Sequence, residues 1–196
     1  MSLAKQLSHA QRHAEALTWF DEVIRCSDEL SPDDPNLLFA RVRRADGLRA
    51  LGKLDDAAVE LEASYRLCHD ALGPQHAITQ MAQRMRADLW IAQGRRAEAA
   101  ELVAGLLAEQ AGAPTGQVAH LRLRHAKNLR LLGRHAEAEQ QLAAAHEFFG
   151  GANAGDPALR VVYEEFVALS EATGRADEAT TWRERLQEWR AAHTER

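Results

Sequence analysis

One hexad, repeated at intervals of about forty residues, limits what this chain can fold into more than any other feature. Gly52-Lys-Leu-Asp-Asp-Ala57, Gly94-Arg-Arg-Ala-Glu-Ala99, Gly133-Arg-His-Ala-Glu-Ala138 and Gly174-Arg-Ala-Asp-Glu-Ala179 align without gaps. Each copy is Gly, a base, two variable residues, an acid and Ala, and the glycines are 42, 39 and 41 residues apart. Gln11-Arg-His-Ala-Glu-Ala16 is a fifth, degenerate copy, 41 residues before Gly52. Self-similarity at such a period marks a repeat architecture, in which each unit must stack on its neighbours to bury its apolar surface.

Composition says what the repeats are made of. The 196 residues include 38 Ala and 25 Leu, against 11 Val and Ile together and two Tyr. That mix favours helices over strands. All five prolines (Pro32, Pro35, Pro74, Pro114 and Pro157) fall between the second helical stretch of one repeat and the first of the next. Proline is tolerated in the first turn of a helix and breaks its interior, so these positions are boundaries, with Asp34-Pro35 and Asp156-Pro157 reading as N-cap and N1. The predicted first helices are 35–51, 77–93, 115–132 and 157–173. The second ones are 54–70, 96–110, 135–149 and 176–192, with an earlier helix of the second type over 9–30. Each repeat is therefore a helical hairpin whose glycine supplies the positive φ or close approach of a tight turn. The Ala five residues on (Ala57, Ala99, Ala138, Ala179) lets the paired helices approach, facing Ala45, Ala87, Ala126 and Val167.

These hexads, together with Ala71-Leu-Gly-Pro-Gln-His76 as an inter-repeat loop, resemble the tetratricopeptide family and its long-repeat, kinesin light chain-like branch. The resemblance runs from about Gln11 to Ala192. It implies an all-α, right-handed helical-hairpin solenoid, a tetratricopeptide-like superhelix, with first helices lining a concave face and second helices forming the convex back. The expected organisation is a single solenoid over 1–196: a half repeat, 1–34, then repeats 35–73, 74–113, 114–155 and 156–196. Just before the small position of the first helix the family usually has a bulky apolar residue; here stand Arg44, Arg86 and His125, and then Phe166. The N-terminal half hairpin reads as the cut end of a longer protein. The last helix, with Arg183, Glu184, Arg185, Glu188 and Arg190, reads as a polar cap.

Charge separates by helix type. First helices carry +3, +1 and +4 before the fourth reverses to −2, whereas the second helices carry −4, −2, −3 and −1. Positions three, six and ten before each glycine share one helical face. By the resemblance that face is the groove, extended by Phe39, Met81, His120 and Val161. The candidate groove residues are Phe39, Arg43, Arg49, Met81, Arg84, His120, Arg124, Lys127 and Arg130. Two readings stay open: a solvated charged face held by pairs such as Arg84–Asp88, or a site for an acidic or C-terminal carboxylate segment. On the second reading, reversing Lys127 and Arg130 to Glu abolishes binding and leaves stability nearly unchanged.

Catalytic chemistry finds little support. No H-E-x-x-H, C-x-x-C, G-x-S-x-G or P-loop pattern occurs. His9 and His13 could share one ion at i,i+4, but no third ligand lies on their stripe, so they read as solvated or packing residues. No metal or cofactor is expected. The tryptophans read as core packing, from Trp182 and Trp189, seven apart on one face of the last helix, with an exposed docking site for another domain or subunit as the alternative. Cys26 and Cys68 read as core, too few for a disulfide scaffold. No apolar run reaches a membrane span of about 18 residues, and no export signal opens the chain. Arg outnumbers Lys 21 to 3, as in a GC-rich bacterial genome. The expectation is a non-enzymatic, bacterial cytoplasmic interaction module. It binds a protein or peptide, acidic in character, or another domain of the same polypeptide, rather than membrane or nucleic acid. The alternative is the sensory lobe of a transcription regulator or protein kinase that binds a small effector.

Overall fold

A computed structural model describes residues 3–26, 31–110, 115–151 and 155–193, with side chains from residue 12 onward. Pro114, residues 27–30 of the first expected helix, and the His9 side chain lie outside the described residues. The described residues form nine helices and no strand: α1 Leu3–Arg25, α2 Pro35–Ala50, α3 Leu54–Leu72, α4 Ala77–Ala92, α5 Arg96–Glu109, α6 Gly116–Leu131, α7 His135–Gly150, α8 Pro157–Ala172 and α9 Ala176–His193. Eight of them match the expected spans to within two residues at each end. The first helix starts earlier than its periodicity indicated.

The hexad has a local physical cause. Gly52, Gly94, Gly133 and Gly174 all take φ between 71° and 81°. A Cβ built on any of the four meets nothing within 4 Å, so they are glycines for backbone conformation and not for close approach. Each turn closes the same way. The base after the glycine donates its N–H five residues back, from Lys53 to Leu48 O, Arg95 to Trp90 O, Arg134 to Leu129 O and Arg175 to Ser170 O. The glycine N–H bonds three residues back, which completes a Schellman closure of the first helix. The same base then leads into the second helix, and in the three copies where it is Arg it pairs with the acid three residues on. Arg134 bridges to Glu137 at 2.6 Å and Arg175 to Glu178 at 2.9 Å, and Arg95 pairs with Glu98. The guanidinium hydrogen bonds hold the Glu98 and Glu137 carboxyls below the ordinary carboxylate range, at a helix end whose dipole also favours a negative charge. The hexad's Ala closes the unit, buried in all four copies.

Boundaries between hairpins follow the prolines and caps. Asp34 accepts from the N–H groups of Asn36 and Leu37, and Asp156 from that of Ala158, each ahead of a Pro at the first helical position. Thr115 caps α6 through Val118 N, and His76 caps α4 through Ile78 N.

The chain divides into two compact units, 1–99 and 100–196. In the first, α2 packs on α1 and α3, α3 packs on α4, and α2 lies beside α4. Leu17, Leu38, Val42, Leu48, Leu61, Cys68, Met85 and Leu89 fill its core around Ala45, Ala57 and Ala82. At Gly47 an added Cβ would come within 3.2 Å of Leu17, so here a glycine does serve close approach, of α1 to α2. In the second unit, α6 packs on α7, α7 on α8, and α8 on α9, with α6 beside α8. Its core gathers Leu123, Leu129, Leu142, Phe149, Leu159, Val162, Phe166 and Leu169 around Ala126, Ala138 and Ala145.

Two expectations about buried residues need correction. Trp19 is 60% exposed, edge-on to Phe20, and Cys26 is exposed, since α1 ends at Arg25 before it. Cys68 is buried as expected, and burial pushes its thiol up to about 11.

Candidate interaction surface

The first helices carry the candidate residues, some half-buried and some exposed. On α2, Arg49 lies 2.7 Å from the Asp46 carboxylate and Arg43 lies 3.5 Å from it. One carboxylate thus gathers two of the expected groove cations. Phe39, one turn before Arg43, is 42% exposed. On α4, Met81 is half-buried against the core of its unit and Arg84 is half-buried.

On α6 the arrangement is more open. His120, Arg124, Lys127 and Leu131 are all exposed, and their spacing of four, three and four residues draws one line along the helix. Leu131 is 49% exposed, a large apolar side chain in line with two cations. The His120 ring packs 5.0 Å from that of Phe149. Arg130 turns instead to α8, where its Nε donates to Glu165 at 3.0 Å. Lys127 Nζ lies 3.7 Å from the other oxygen of the same carboxylate. Glu165 is only 7% exposed. Reversing Arg130 would therefore strand a buried acid, so the expectation that Lys127 and Arg130 can be reversed together without loss of stability fails for Arg130.

Ten before the glycine, Val42 and Leu123 are buried in the cores, and Glu164 bonds Arg160 and Arg190 of α9. Nine before the glycine stand the half-buried Arg43 and the exposed Arg124, but also Met85 and Glu165, which are buried. Leu131 and Glu165 were missed by the sequence reading. Leu131 lies in step with Lys127 and Arg124, a signal available in the sequence; the burial of Glu165 was not.

Arg44, Arg86 and His125, which stand where a bulky apolar residue was expected, and Phe166, which is one, occupy the same position of the first helices. Arg44 bridges Asp21 of α1 at 2.6 Å and Glu60 of α3 at 3.0 Å. Arg86 bonds Glu62 at 3.3 Å and lies over the rings of Tyr65 and Trp90. His125 is buried and its Nδ1 has no hydrogen-bond partner among the described residues. Burial, with Arg134 and Arg122 nearby, depresses its pKa to about 4, so it is neutral. Phe166 stacks on Trp182 at 4.1 Å, nearly parallel. Charge at this position is matched by acids on the second helices, which explains how polar residues fill a packing position.

No group of three His, Cys, Asp or Glu among the described residues could hold a metal ion, and no described helix is long and apolar enough to cross a membrane.

No protein-family model matches the sequence, and no curated protein matches it either. Solved structures do. Two crystal structures of repeats from Podosopora anserina, described as nearly identical TPR-like repeats of a kinesin light chain, superpose with TM-scores of 0.78 and 0.76. They share 20% and 21% identity with this chain, covering 99% of it and 97% of each of them. BtubC (BKLC) from P. vanneervenii matches with a TM-score of 0.70 at 16% identity, covering 95% of this chain and 74% of its own. At such identities the likeness is one of fold: the chain has the all-α, tetratricopeptide-like solenoid fold found in kinesin light chain repeats.

Proposed function

We propose that the chain is a non-enzymatic protein-interaction module, and that the α6 face of its second unit binds an acidic segment carrying an apolar side chain. The observation that carries this reading is the exposed line His120, Arg124, Lys127, Leu131. Single apolar side chains on a surface are ordinary, and so are surface cations. Here a large exposed apolar group extends a row of two cations at one helical spacing. An acidic peptide with Leu or Phe one turn from its carboxylates matches that order. The frequent use of this fold as a protein-interaction scaffold supports the same class of function. Arg130 and Glu165 support it indirectly, since their pairing fixes α6 against α8, and Arg124 and Lys127 of the same helix are exposed.

The test is an array of acidic peptides probed with wild type and with the Arg124→Glu/Lys127→Glu double variant, which spares Arg130. Binding should fall at least tenfold in the variant and weaken with salt, because exposed charges are screened over ~10 Å at 0.1 M. Stability should move by no more than about 0.5 kcal/mol, as for most surface substitutions. Equal capture by both proteins would refute the assignment to this face.

A further inference from the structure

A second candidate site lies away from that face, where α7, α8 and α9 meet. A cleft of about 420 Å³ opens there, with His146, Tyr163 and Trp189 among its walls and Arg185 and Glu188 at its rim. It is aromatic on several sides. The His146 ring sits 5.7 Å from Tyr163 and 5.6 Å from Trp182, and the His193 ring stacks on Trp189 at 4.2 Å.

Its charges are unevenly used. Arg185 is turned onto the ring of Trp182, 4.7 Å from its centre, and Trp182 is not among the residues lining the cleft. Glu188 has no hydrogen-bond or ion-pair partner among the described residues. The last residues of α7 and α9, Gly150 and His193, line the same cleft, bringing the electronegative ends of two helices to it. Burial, and secondly the neighbouring Arg185, lower the His146 pKa and favour its neutral form.

We infer that this cleft binds an organic cation, a guanidinium or methylated ammonium group, against Tyr163 and Trp189 with Glu188 as counter-charge. Aromatic faces attract cations of this kind, and a weakly hydrated one loses little on leaving water, unlike a small inorganic ion. The site is independent of the α6 face, because none of its residues belongs to α6.

The experiment titrates the whole chain with tetramethylammonium, ethylguanidinium and potassium at constant ionic strength, following the indole and amide NMR signals. The expected result is saturable shifts at the Trp189 indole and at residues 185–193 with the two organic cations and none with potassium. Glu188→Gln should weaken binding roughly fivefold, while Glu184→Gln on the same helix should leave it unchanged. A trimethyl-lysine peptide that binds more tightly than tetramethylammonium identifies the source as a polypeptide, and equal affinity identifies a free small molecule; both outcomes support the site. Shifts that are equal with potassium, that fall outside the cleft, or that persist unchanged in Glu188→Gln overturn it. So does the absence of any saturable shift.

Discussion

The Arg130–Glu165 pair offers a sharp test of how the second unit is held together. Replacing Arg130 by Met keeps the length of the side chain and removes its charge. Glu165, 7% exposed, then loses the guanidinium that donates to it at 3.0 Å. Leaving a buried acid without its partner typically costs about 3–5 kcal/mol. Two features reduce that figure here. Lys127 Nζ stays 3.7 Å from the carboxylate, and the Arg130 side chain retains 18% of its exposure, so water partly screens the pair. The expected loss is therefore about 2–3 kcal/mol. Arg130→Met/Glu165→Met removes both charges and should recover most of the loss, giving a coupling energy of about 2 kcal/mol in the double-mutant cycle. Urea denaturation followed by circular dichroism gives the stabilities, and hydrogen exchange at α6 and α8 amides shows whether the loss is local. Repeat arrays need not unfold in one step, so the local readout decides. If Arg130→Met costs under about 0.5 kcal/mol and the double variant is additive, the pair is a surface ion pair of the ordinary kind and the reasoning fails.

Two further outcomes follow from the packing. Ala138 is fully buried against Leu142 and the α6 core, so Ala138→Leu should overpack the hairpin and cost ~1–3 kcal/mol in thermal or urea unfolding, whereas an unchanged melting temperature would mean this face is not packed. His125, with its pKa depressed to about 4 against 6.5 when unfolded, contributes stability that is complete above pH 6.5 and lost as pH falls through 4. The full loss is about 3 kcal/mol, so the stability gap between wild type and His125→Phe should shift in favour of the variant by that order between pH 7 and pH 4; a gap that does not change with pH would refute a buried neutral imidazole.

The hexads alone determined the hairpins, because each of their residues acts locally. The glycine takes a positive φ, the base closes the helix before it and, where it is Arg, pairs three residues on, and the Ala fits a close crossing. Prolines and Asp caps fixed the helix starts for the same reason, since capping is decided within one turn. Periodicity also placed His120, Lys127 and Arg130 together on α6, but did not decide which of them is exposed and which turns to Glu165. A shift of one residue turns a helix by about 100°, and which turn is right depends on the neighbours against which it packs. Tertiary structure decided what a single helix cannot. It placed Arg130 on Glu165, Arg44 between Asp21 and Glu60, and His146 among aromatic rings from α8 and α9. It also left Trp19 in solvent. Charge and aromaticity are written in the sequence; whether a charge is spent on a partner or offered to one depends on residues from other helices that come within a few ångströms.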